Sequence, residues 1–224
     1  MRADRPFDAV CFDCDSTLSR IEGIDELAHR AGLKSYIARL TAAAMDGTLT
    51  LDAVYAKRLS LVRPDRAALA WLGERYVEEM VSGAKETVEV VHRLGKAVYI
   101  VSGGLLPAIA QLAQALKIPR DRTFAVDVLF HSDGTYLDFD RQSPLVGPDG
   151  KAVVCRSLAT RHNAIAMVGE AVVNGSDVFI PGPDLTAVLD ALLSVTERSS
   201  AGVCSLPCHG GPGRRGRGRR QPRG

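Results

Sequence analysis

The chain has 224 residues, 46% of them hydrophobic and 24% charged, an ordinary globular composition with room for one α/β domain and a modest insertion. No apolar run approaches the roughly 18 to 20 residues that span a bilayer, and "MRADRPF" leads into a strand without the apolar stretch of a signal peptide. A membrane-spanning or secreted chain is not expected, and a cytoplasmic location is. The net charge of +2 is uneven: residues 199–224 hold six arginines and no acid, leaving 22 Lys and Arg against 26 Asp and Glu in residues 1–198.

In chain order, "FDAVCFD" reads as a short buried strand that ends on "DCDST". From about residue 24 to residue 80 the pattern is helical. "IDELAHRAG" and "YIARLTAAAMDG" each end on a glycine, "LTLDAVYAKRLSLV" stops before Pro64, and "RAALAWLGERYVEEMV" follows. A helix from Thr87 leads into "KAVYIVSGG", a strand expected to end at Gly103-Gly104. "LLPAIAQLAQALKI" is a helix with Pro107 in its first turn. "RTFAVDVLFHSDGTYL" predicts a strand and a hairpin around Asp133-Gly134, then a helix from Lys151 and the strands "AIAMVG" and "DVFI".

Apolar strands alternating with helices predict an α/β fold, a doubly wound, mostly parallel sheet. The helical block after the first strand is longer than one crossover requires and reads as an inserted cap. The expected division is a core of residues 1–20 and 82–198, a helical cap of 21–81, and a disordered Gly/Arg-rich tail of 199–224. Five cysteines, none suggesting a bridge, are expected as reduced thiols, and C-F-D-C lacks the second pair that a zinc site needs.

Ligands of such sheets bind beyond the carboxyl ends of the strands, where Asp13, Asp15, Ser102 and Gly169 all fall. Two carboxyls at one strand end suit phosphoryl transfer, one attacking phosphorus and the other handling the leaving group's proton. Taken alone, the pair also fits a solvated or helix-capping role. Ser102-Gly103-Gly104 before a helix can face an anion, and Lys151 near a helix start can hold a phosphoryl oxygen.

In this order, "DCDST" with Glu22, "AMDG", Arg58 in "AKRLSLV", "VSGG" and "PDGK" resemble the haloacid dehalogenase superfamily, in its phosphoserine phosphatase branch. The resemblance spans about residues 7–168. It implies a magnesium-dependent phosphomonoesterase acting on a small phosphorylated amino acid, L-phosphoserine. Asp13 would be the nucleophile and Asp15 the general acid and base. Ser102, Gly103 and Lys151 would bind the phosphoryl group, while Glu22, Met45 and Arg58 bind the rest of the substrate. Magnesium would be held by Asp13, Asp15 and Glu170.

One motif departs from the family. After the last core strand the family has V-G-D-G-x-N/T-D, whereas this chain reads "MVGEAVVNGSDVFI". Either Glu170 replaces the metal-binding aspartate or a short stretch is deleted, and deletion is the preferred reading. Impaired turnover is then expected. Two alternatives stay open: a catalytically dead relative that binds phosphorylated ligands, and a phosphatase for another small metabolite. The "GRRGRGRR" tail adds an expectation of weak, non-specific nucleic-acid binding through charge.

Overall fold

The computed structural model describes residues 7–45, 50–169 and 178–181, together with positions 185 and 189. The expectations for Glu170 and for the tail lie outside these residues. So does the side chain of Met45, whose backbone ends a helix.

Five parallel strands form the sheet: β1 (Ala9–Phe12), β2 (Ala97–Leu105), β3 (Thr123–Val126), β6 (Ile165–Gly169) and β7 (Val178–Pro181), in the order β3-β2-β1-β6-β7. β1 is central because every residue of "AVCF" is buried, as a strand covered on both faces and paired on both edges requires. Its register places Ala9 beside Ala97 on one side and Ile165 on the other. The chain runs outward from β1 through β2 to β3, then returns to the opposite side for β6. β1 and β6 therefore flank the point where strand order reverses, and ligands collect at the carboxyl side of such a point.

Among the described residues five helices intervene between β1 and β2, the first four being α1 (Gly23–Arg30), α2 (Lys34–Met45), α3 (Leu51–Val62) and α4 (Arg66–Glu78). Arg63 ends α3 in the left-handed region at φ 44°, and Pro64 blocks continuation. Asp65 then caps α4, its side chain accepting from Ala68 N–H at 2.7 Å. α5 (Ala84–Arg93) starts earlier than the expected Thr87, because Gly83 at φ 82° turns the chain into the helix. α6 (Leu106–Ala115) follows β2 with Pro107 in its first turn, and α7 (Gly150–Leu158) precedes β6. α4 packs against α6, where Gly73 leaves space for the Gln111 side chain that donates to Ala70 O at 3.1 Å.

The predicted hairpin is present as β4 (Val128–Phe130) and β5 (Tyr136–Phe139), with Gly134 at φ 86° in the turn. Its carbonyls take Arg66 N–H (to Gly134 O, 3.0 Å) and Arg63 Nη2 (to Tyr136 O, 3.3 Å), fixing the hairpin against α3 and α4. Cys11, Cys14 and Cys155 are free, buried thiols, as expected. No helix among the described residues is long and apolar enough to cross a membrane.

Candidate active site

β1 delivers Asp13 directly to the carboxyl edge, where its N–H donates to Val168 O of β6 at 2.9 Å. The chain then curls tightly: the N–H groups of Thr17, Leu18 and Ser19 all converge on Cys14 O, and Ser16 adopts φ 52°. That curl brings Asp15 to the same side as Asp13. Gly169 ends β6 beside Asp13, where a Cβ would stand 3.4 Å from Asp13 Cβ, an ordinary van der Waals contact.

Asp13 is nearly buried, at 8% exposure, and both its oxygens are engaged. Oδ1 accepts the Cys14 N–H at 2.8 Å, and Oδ2 pairs with Lys151 Nζ from the first turn of α7. Asp15 is half-buried and uses Oδ1 for two donors, Gly23 N–H at 2.8 Å and Tyr76 Oη–H at 2.7 Å. Burial of its carboxyl, reinforced by the nearby negative charge of Glu22, pushes the Asp15 pKa up to about 7, against the opposing pull of those two donors. Near neutral pH Asp15 can therefore both give and take a proton.

β2 does not stop at Gly103-Gly104 as expected. Val101 pairs with Phe124 and Leu105 with Val126, so Ser102, Gly103 and Gly104 bulge from the ladder and the strand resumes. Ser102 is fully buried, and its Oγ accepts Gly104 N–H at 3.0 Å. Tyr55 of α3 donates to Gly103 O at 2.9 Å and meets the Phe139 ring at a tilt of 60°, with 5.4 Å between ring centroids.

These groups line one cavity of about 330 Å³, with Glu22, Arg58, Leu72 and Lys151 also in its wall. Arg58 is half-buried and donates Nη2 to Thr41 Oγ1, while its Nε is buried without a partner. Burial lowers its pKa, opposed by Asp25 and Glu22. Glu22 accepts from Ser16 Oγ at 2.6 Å. The fold thus brings Asp13, Asp15, Ser102, Gly103, Lys151, Glu22 and Arg58 together. Sequence reasoning missed Tyr55, Tyr76 and the Leu145–Gly147 rim. The tyrosines carried a faint signal, as phenols inside otherwise apolar helical faces.

A magnesium site demands several oxygen ligands in near-octahedral array. Among the described residues no three His, Cys, Asp or Glu side chains cluster as such a site requires. Asp13 and Asp15 therefore do not by themselves make the site that the resemblance implies.

Residues 10–172 match the model of the haloacid dehalogenase-like hydrolases. The phosphoserine phosphatase of Mus musculus is 34% identical over 165 residues, 73% of each chain. The chloroplastic phosphoserine phosphatase of Arabidopsis thaliana is 34% identical over 185 residues, 79% of this chain and 63% of the relative. Among solved structures, a phosphoserine phosphohydrolase-like protein from Francisella tularensis superposes with a TM-score of 0.68 at 23% identity, covering 84% of this chain and 99% of that one. A phospho-aspartyl intermediate analogue of phosphoserine phosphatase gives 0.65 at 23% identity, with the same coverage. Those two likenesses establish the fold. The matched family model and the relatives together place the chain among the haloacid dehalogenase-like hydrolases, to which it belongs as a phosphoserine phosphatase-like member.

Proposed function

We propose that the chain is a phosphomonoesterase that hydrolyses L-phosphoserine to serine and phosphate through an aspartyl-phosphate on Asp13. The observation that carries this reading is the meeting, in one cavity, of two strand-end carboxylates, a lysine paired with the first of them, and the Ser102–Gly104 bulge. The phosphoserine phosphatases of mouse and Arabidopsis, as relatives, support the substrate.

Asp13 attacks phosphorus with a carboxylate oxygen, and the bond from phosphorus to the serine oxygen breaks with its electron pair on that oxygen. Asp15 gives its proton to the departing oxygen. It then takes a proton from water, whose oxygen attacks phosphorus and releases Asp13 and inorganic phosphate. Lys151, already on Asp13 Oδ2, lies where the phosphoryl oxygens arrive and offsets their charge. Ser102 Oγ and the Gly103 amide complete the cradle. On the opposite wall Arg58 meets the substrate carboxylate and Glu22 its ammonium. The helices of residues 21–81 act as the cap that keeps water from this closed chemistry.

Phosphate release from a panel of phosphoserine, phosphothreonine and sugar phosphates, with magnesium and with chelator, tests the reading. Release is expected to be fastest with phosphoserine, to need magnesium, and to vanish in Asp13→Asn. One observation favours a second reading, a binder of phosphorylated ligands without turnover: the sequence reads "MVGEAVVNG" where the family has V-G-D-G-x-N/T-D. Phosphoserine binding with no release above Asp13→Asn would establish that alternative.

A further inference from the structure

Asp15 is held asymmetrically. Both donors that reach it, the Tyr76 hydroxyl at 2.7 Å and the Gly23 amide at 2.8 Å, fall on Oδ1. An oxygen whose two lone pairs both accept hydrogen bonds has no room for a proton of its own. Oδ2 takes the other side: a methyl placed on Gly104 would stand 3.1 Å from it and 3.3 Å from Ser102 Oγ, and all three residues line the cavity.

Tyr76 sits on α4, fully buried, 61 residues away from Asp15 in the chain. Its hydroxyl lies so close over Gly23 that a Cβ there would come within 2.0 Å of it. Gly23 opens α1, so one phenol touches the second aspartate, the entrance of a helix and the cavity wall together. The phenol is the donor in its 2.7 Å hydrogen bond to Asp15 Oδ1.

We propose that Tyr76 is a positioning residue that locks Oδ1 of Asp15 and presents Oδ2, with its proton, to the leaving oxygen of the substrate. The inference rests on the phosphomonoesterase reading above. As the phosphorus–oxygen bond breaks, the leaving oxygen keeps the electron pair and takes the proton from Oδ2. The carboxylate left behind is stabilised by the two donors already on Oδ1. Positioned acids of this kind matter in proportion to the leaving group's need for a proton.

The test is Tyr76→Phe, which removes one oxygen, assayed with two esters. Serine leaves as an alkoxide that needs protonation, whereas p-nitrophenolate leaves without it. The expected result is a fall of about 10- to 100-fold in kcat/KM for phosphoserine and a change of less than about threefold for p-nitrophenyl phosphate. In an Asp15→Asn background the Tyr76→Phe change is expected to have no further effect on phosphoserine.

An equal fall for both esters, or no fall for either, overturns the proposal. So does a Tyr76→Phe chain that fails to fold, which would make the hydroxyl a structural group. If the parent releases phosphate from neither ester, the phosphatase reading fails separately, and a crystal structure of Tyr76→Phe decides the positioning claim. A carboxyl turned away from its place beside Gly104 supports it, and an unmoved Asp15 overturns it.

Discussion

The two ends of the cavity are built differently. At the sheet end, polar groups already satisfy one another: Lys151 and the Cys14 amide hold Asp13, Tyr76 and Gly23 hold Asp15, and Ser102 holds the Gly104 amide. At the helical end, Arg58 has a buried Nε without a partner and a charge that burial disfavours. A buried unsatisfied donor on a cation costs roughly 1–3 kcal/mol or more, which an arriving anion offsets. The sheet end has the character of fixed machinery and the helical end that of a receptor for charge.

That contrast predicts a split between rate and affinity. Lys151→Ala is expected to lower kcat for phosphoserine by about 10²–10³-fold with a small change in KM, because its cation works on charge developing in the transition state. Arg58→Ala is expected to raise KM by about tenfold or more while kcat falls less, the pattern of lost uniform binding. Steady-state kinetics of the two variants would break the comparison if Lys151→Ala acted mainly on KM or Arg58→Ala mainly on kcat.

Smaller effects sharpen it. Gly23→Ala places a methyl 2.0 Å from the Tyr76 hydroxyl, and overpacking of this kind costs about 1–3 kcal/mol. Denaturant unfolding of that variant is expected to show the loss, together with slower phosphoserine turnover as Tyr76 is displaced from Asp15. Tyr55→Phe removes the hydrogen bond from α3 to Gly103 O and is expected to cost about 0.5–1.5 kcal/mol by the same measurement, leaving the Tyr55–Phe139 ring contact intact.

Much of the sheet end was legible in the sequence because strand ends announce themselves. Asp13, Asp15, Ser102 and Gly169 fall at the ends of apolar runs, so local pattern places these four at one edge, whereas Lys151, near a helix start, joined them only through the resemblance. The Gly103-Gly104 dipeptide misled as a strand stop. The ladder absorbs it as a bulge and resumes at Leu105, paired with Val126, which pattern alone does not reveal.

Tyr55 and Tyr76 were only faintly legible, for a different reason. Each occupies an apolar-rich helix where a tyrosine reads as packing, and its partner lies 48 or 61 residues away. The convergence of Arg58 on the same cavity as Asp13 became legible only through a resemblance, since nothing in helical periodicity says which cation turns inward.

The most direct test of the account is whether phosphorus becomes bonded to Asp13. The chain would be mixed with phosphoserine and magnesium, quenched in acid during turnover, digested, and its peptides weighed by mass spectrometry. The account predicts a phosphoryl group on the peptide containing Asp13, labile to hydroxylamine and missing from Asp13→Asn. Turnover with Asp13 unmodified, or with the phosphoryl group on another residue, would contradict it.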